Sequence, residues 1–341
     1  MKLAGFLCLL ALPALAQYSV HQEGDVVRLE DGATQTVVSV MPSRGDNAFQ
    51  MTVKGKNVLQ FPFNSPAEFK TRGNLNGMPF LEPWANRLDG DFFYANGKKY
   101  EFNMGLGNVR GAIPMHGMLT TASQWEIVEA KADQDAAWIT CKLDFYRYPD
   151  WMAQWPFAHT IELTHKLHNG VLQVTVKLTN LSTAPMPVSV GFHPYFQVND
   201  AQRDDWTFHI AARTHWILNQ FIPTGETEPI EKFLPGQPES SSLKGVRLDD
   251  LFNDLIRDPD GRATMWLQGK SEKVEVSFGP NFKAAVVYFP AGPNQNFICL
   301  EPMAAITDAL NLAQKGVYKD LQSIAPGGTW QDSFWVKPSG F

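Results

Sequence analysis

Cysteine is scarce in this chain: three in 341 residues, at positions 8, 141 and 299. That excludes a disulfide-stapled scaffold, and no cysteine or histidine spacing resembles a zinc site. Clustered positive charge is missing as well. Lysine and arginine number 29 against 35 acids, a formal net charge of −6, and no basic run stands out. Such a chain is ill suited to nucleic acid or to an anionic membrane surface. There is no G-x-G-x-x-G after a strand, no phosphate-binding loop and no nucleophile elbow, so nothing points to a nucleotide cofactor. Helical periodicity is rare, and only Leu248–Ile256 and Thr307–Gln314 are spaced for two turns of helix.

Long apolar runs are confined to the start. Lys2 forms a short positive region, Leu3–Leu15 an apolar one, and Ala14-Leu15-Ala16 a small-x-small cleavage site. Residues 1–16 therefore read as a secretory signal peptide, leaving a mature chain from Gln17 that is exported to the periplasm or secreted. The run is short for a membrane span and no second one follows. Phe6-Leu7 before Cys8 does not fit a lipoprotein signal, so no membrane anchor is expected after cleavage. Cys141 and Cys299 lie in strand-like segments and are expected to be unpaired, buried thiols.

What is abundant is alternation. Leu172, Val174, Val176 and Leu178 alternate with Gln173, Thr175 and Lys177; Ile139–Phe145, Ile161–Leu167 and Val274–Phe278 repeat the pattern. Period 2 is the signature of strands with one buried face. Asp31-Gly32, Asn96-Gly97, Asn169-Gly170 and Asp260-Gly261 suit tight hairpin turns. Strands continue without a linker, which predicts one all-β domain over residues 17–341, a large antiparallel β-sandwich. Leu234–Gly245, rich in Pro, Gly and Ser, is the one long loop candidate. Ten Trp and 23 Phe suit both a sandwich core and stacking surfaces.

Four places could carry chemistry. In Val190–Val198, His193 and Tyr195 share a strand face, and Pro194 predicts that the strand is at an edge or ends there. Asn86 and Arg87 offer fixed donors for hydroxyls and a ring oxygen, or equally a turn and an ion pair. At His116-Gly117 the glycine would let a backbone approach a ligand, and the histidine could donate to it. Glu301 ends the apolar run Phe297–Leu300 just before Pro302, with Cys299 on its face. Burial there disfavours the carboxylate and makes a better base near neutrality. His159, His165 and His168 are assigned to structure, with His165 turned inward.

With Asn86-Arg87, His116-Gly117, Gly191-Phe192-His193-Pro194-Tyr195-Phe196 and Glu301-Pro302 in this order, the chain resembles the aldose 1-epimerase (galactose mutarotase) family. Gly77–Arg87 looks like that family's N-terminal signature, Asp249-Asp250-Leu251-Phe252 like its Asp-x-x-Phe segment, and Asp308–Asn311 like its last motif. The resemblance implies a β-supersandwich and cofactor-independent interconversion of the α and β anomers of free aldohexoses. By position it makes Glu301 the general base and His193 the general acid. Arg87, His116 and Asp249 would hold the sugar, with Asn86 assisting, and no metal is implied. Gln197 and Met303 depart from the family pattern. Other readings are a non-catalytic carbohydrate-binding protein, an epimerase for phosphorylated hexoses, and more remotely a polysaccharide lyase on a related sandwich. The oligomeric state is left open.

Overall fold

The computed structural model describes residues 17–73, 75–106, 113–290 and 295–341. The leader expected at residues 1–16 lies outside them. Alternating segments form antiparallel ladders as their pattern requires. Tyr18–Glu23, Val26–Asp31, Thr36–Met41, Asn47–Val53 and Lys56–Asn57 make a five-stranded meander. Asn96-Gly97 and Asn169-Gly170 close hairpins with both residues left-handed, at φ 52° and 72° and at φ 48° and 71°. That is the geometry a two-residue primed turn demands.

A nine-stranded sheet is built around His159–His168, Val171–Asn180 and Thr329–Ser339. An eight-stranded sheet runs Ile222–Pro229, Ala212–Asn219, Leu248–Leu255, Ala284–Phe289, Ile298–Met303, Gly191–Phe192 and Phe80–Leu81, with Tyr195–Phe196 also paired to Ile298–Met303. Phe192, Phe252, Val287 and Leu300 of this sheet share one core cluster with Val174, Val176, Val276 and Phe334 of the nine-stranded sheet. The two sheets thus pack face to face as a sandwich. Each fully buried side chain of this size contributes roughly 1.5–3 kcal/mol. The pleat then sends the alternate residues, Asp249, Leu251, Tyr288, Cys299, Glu301 and Met303, to the opposite face of the eight-stranded sheet.

Leu248–Ile256, expected as helix, is instead the strand Leu248–Leu255, paired on both sides. Leu248 and Phe252 enter the core between the sheets while Leu251 packs on the outer face. A strand buried on both faces reproduces the i, i+3, i+4 spacing of a helix, which is why the pattern misleads. The second candidate does form a helix, Ala309–Gln314. Leu234–Gly245 is a loop except at Ser241–Ser242, which pairs with Thr207–His209. It is tied down by buried Gln237, which accepts from Ile210 N and donates to Phe208 O. Cys141 and Cys299 are buried and unbonded to each other. His165 turns inward and its Nε2 lies 3.0 Å from Asp46 O. No described helix is long and apolar enough to cross a membrane.

Candidate active site

Two loops form one wall. Met118 N donates to Glu82 O (2.8 Å), His116 N to Asn86 O (2.8 Å) and Leu88 N to Pro114 O (3.1 Å), so residues 82–88 and 114–118 are zipped together. Asn86, His116 and Gly117 are all left-handed, at φ 57°, 61° and 62°. A Cβ on Gly117 would stand 2.0 Å from Glu82 O. The glycine therefore serves a close approach of backbone to backbone, where a ligand approach was expected. Glu82 is fully buried, and its Oε1 lies 2.7 Å from Nε2 of His159, whose Nδ1 donates to Phe157 O. The pair ties the Asn86–Arg87 loop to the first residue of a central strand in the nine-stranded sheet.

The outer face of the eight-stranded sheet forms the floor. Its register aligns Asp249 with Tyr288, Tyr288 with Cys299, and Cys299 with Tyr195, one transverse row over four strands. Gly191 pairs with Met303 and Tyr195 with Cys299, which sets His193 opposite Glu301. The strand does break at His193-Pro194, as proline predicts, but inside the sheet and not at its edge. His193 N and Tyr195 N donate to Pro79 O and Gly77 O on the far side, so only the proline's own place in the ladder is lost. Glu301 likewise sits within Ile298–Met303, which runs on through Pro302.

The structure brings Asn86, Arg87, His116, His193, Asp249 and Glu301 into one cavity of about 250 Å³. His193 Nε2 is 3.3 Å from Glu301 Oε1, close enough for an ion pair but not aligned as a hydrogen bond. Glu301 is 1% exposed, and neither of its oxygens has a hydrogen-bond partner among the described residues. Burial holds its pKa well above the usual carboxylate value; Asp249 pushes the same way and Arg87 opposes. Burial drops His193 to about 3, and the charge of Arg87 adds to this. Both effects favour the uncharged forms, a carboxylic acid beside a neutral imidazole.

Arg87 Nη1 donates to Asn86 Oδ1 (3.1 Å) and Nη2 to Asp249 Oδ2 (3.3 Å). Asn86 therefore serves a turn and Arg87 an ion pair while both line the cavity. Burial raises Asp249, with Arg87 working against it. Asp250 points elsewhere and bonds to His215 Nε2 at 3.1 Å. The His193 ring stacks on Tyr195 at 4.8 Å and meets His116 edge-on at 5.3 Å.

Tyr195, Tyr288, Met115 and Leu75 complete the lining. Tyr288 had no local signal beyond its aromatic type; only the cross-strand register with Asp249 and Cys299 reveals it. His193, Cys299 and Glu301 place one donor atom each within 4.8 Å of one another, a grouping that sequence spacing hides. A soft divalent cation seated there would engage both His193 and Glu301. The departures at Gln197 and Met303 fall outside the lining. Gln197 faces a separate groove with Asn57 and Gln60, and Met303 packs against Leu81 and Ala85.

The sequence model of the aldose 1-epimerase family matches residues 26–337, and the chain belongs to that family. Its fold is that of a galactose mutarotase-like protein from Clostridium acetobutylicum, at TM-score 0.80 and 20% identity over 95% of this chain and 98% of that one. The galactose 1-epimerase of Lactobacillus acidophilus NCFM superposes with TM-score 0.73 at 16% identity, covering 95% and 98%. By sequence the chain is similar to the uncharacterized protein YihR of Escherichia coli strain K12, 22% identical over 89% of this chain and 91% of that protein.

Proposed function

We propose that this protein is a cofactor-independent aldose 1-epimerase that interconverts the α and β anomers of a free aldohexose. The observation that carries the reading is the buried Glu301–His193 pair, 3.3 Å apart, in a cavity whose lining also includes the hydroxyl-binding side chains of Asn86, Arg87, His116 and Asp249. A site built only to bind sugar has no need of an acid and a base matched in this way.

Anomerisation moves two protons. Glu301 as carboxylate takes the proton of the C1 hydroxyl while His193 as imidazolium delivers one to the ring oxygen. The C1–O5 bond breaks and the open aldehyde forms. Rotation about C1–C2 presents the other face, His193 recovers its proton, Glu301 returns the other, and the ring closes. The pair holds one shared proton throughout. The uncharged arrangement that burial favours is the one accompanying the open-chain sugar. Arg87 favours the Glu301 carboxylate, and hydroxyls of the bound ring, with His116, offset the cost of the His193 imidazolium in the charged arrangement that starts the cycle. Arg87 is the only lysine or arginine among the described lining residues, which argues against a phosphorylated hexose.

The test is exchange NMR on glucose and galactose. Cross-peaks between anomers that grow with enzyme concentration support turnover; saturation transfer from the protein to the sugar without accelerated exchange would leave a binding protein.

A further inference from the structure

The proton-transfer cycle leaves Cys299 without a role, although it lies beside both groups that run the cycle. Cys299 and Glu301 are alternate residues of Ile298–Met303 and share a face, and His193 stands across from Glu301 in the register. All three residues are buried, and one donor atom of each lies within 4.8 Å of the others. A tetrahedral ion with ordinary zinc bond lengths holds nitrogen and oxygen roughly 3.3 Å apart, and sulfur roughly 3.6 Å from either. His193 Nε2 and Glu301 Oε1 already stand at 3.3 Å. The sulfur, no further than 4.8 Å from either, has to close by about 1.2 Å at most. Neither Glu301 oxygen has a hydrogen-bond partner among the described residues, and stacking on Tyr195 at 4.8 Å fixes the plane of the His193 ring.

We propose that His193, Cys299 and Glu301 form a three-ligand site for a divalent cation of the zinc class, and that this ion and the sugar exclude one another. Imidazole nitrogen and thiolate select such an ion over magnesium or calcium, which take oxygen. Charge favours it as well. Burial holds all three groups in their uncharged forms. On binding, Cys299 and Glu301 each release one proton to solvent, and the neutral imidazole supplies a lone pair. Two anions and one dication leave the buried group with no net charge, which removes the penalty on an isolated carboxylate there. Asp249 is ion-paired to Arg87 and is not required as a ligand. His193 and Glu301 line the cavity, so the fourth tetrahedral position falls to water on that side. A ligated imidazole and carboxylate cannot exchange protons with a sugar, and the ion therefore acts as an inhibitor. The ion site stands apart from the epimerase reading; its effect on turnover rests on that reading.

The experiment titrates the protein with Co²⁺, a spectroscopic substitute for Zn²⁺, with and without glucose, and assays mutarotation in the presence of Zn²⁺. The wild type should show a thiolate-to-cobalt charge-transfer band in the near ultraviolet that glucose diminishes. Zn²⁺ should raise KM with kcat unchanged, and EDTA should reverse this. Changes around a metal's ligands already cost about 10–100-fold in affinity, so loss of the sulfur itself in Cys299→Ala should weaken Co²⁺ binding and Zn²⁺ inhibition by at least about a hundredfold, while metal-free mutarotation changes by less than about twofold. Cys299→Ser, closer in size, repeats the test should the alanine variant not fold. No such band in the wild type, a band that survives the loss of the cysteine, or Zn²⁺ inhibition undiminished by it would overturn the proposal. So would Co²⁺ binding that glucose leaves untouched. A band lost with the cysteine and diminished by glucose, in a protein that mutarotates no sugar, would sustain the site and remove only the epimerase reading.

Discussion

His193 Nε2 lies 3.3 Å from Glu301 Oε1 because two ladders fix the same register: Gly191 opposite Met303 on one side of the break, Tyr195 opposite Cys299 on the other. The proposed acid–base pair is thus a cross-strand pair. It is positioned by backbone hydrogen bonds on both sides and buried by the aromatic rings around it.

Glu301→Gln keeps the shape of the side chain and removes its proton chemistry. Catalysed mutarotation should fall by about 10²–10⁴-fold, the usual worth of a positioned base, while sugar binding persists. Polarimetry together with calorimetric titration checks both halves. Undiminished activity would remove Glu301 from the base role.

Arg87 makes two directed bonds at once, to Asn86 and to Asp249. A lysine ammonium has no planar fork to span them. Arg87→Lys should lower kcat/KM by about ten- to a hundredfold, as loss of a charge-assisted hydrogen bond worth roughly 1.5–3 kcal/mol predicts. Steady-state kinetics separates kcat from KM, and full rescue by lysine would show that charge alone is required.

Glu82→Ala leaves His159 buried without its carboxylate. Removing one member of a buried pair costs roughly 3–5 kcal/mol, so a large drop in the urea midpoint is expected. Activity in the remaining folded protein should fall too, since the Asn86–Arg87 loop loses its anchor. The exposed Glu23→Ala is the control. An equal midpoint for the two variants would mean that backbone bonds alone hold the loop.

Asp308 stands just before the helix Ala309–Gln314 with φ 58°, and burial pushes its pKa up to about 7. Its folded-state pKa lies above the ordinary 3.8, so between these values the folded chain holds a proton that the unfolded chain has released. The stabilisation is complete below about pH 4 and is lost as pH rises through 7, at no more than roughly 1.4 kcal/mol per pH unit. Asp308→Asn keeps an oxygen to accept from Asp89 N and Asn311 Nδ2, and asparagine tolerates the left-handed backbone. Thermal melts from pH 4 to 8 should show a shallower decline for the variant. Parallel curves would exclude Asp308 as the source.

Local pattern carried much of this molecule. The run Leu172–Leu178 announced its strand, the Asn-Gly pairs announced their hairpins, and the apolar surroundings of Glu301 announced a buried carboxylate. The failures have the same origin. Leu248–Leu255 looked helical because both its faces are covered, and the face of a residue is a property of its neighbours in space. Gly117 was legible as a site of close approach, but its partner, Glu82 O, was not.

The sequence by itself determined the alternation, the turns and the residue types that can move protons or hold hydroxyls, because these follow from the chain's own period and chemistry. Only the tertiary structure decided that His193 faces Glu301, that Arg87 bridges Asn86 and Asp249, and that Glu82 belongs to His159. Strand register joins residues far apart in the chain, and a period of two constrains which face a side chain takes without saying which distant residue it will meet.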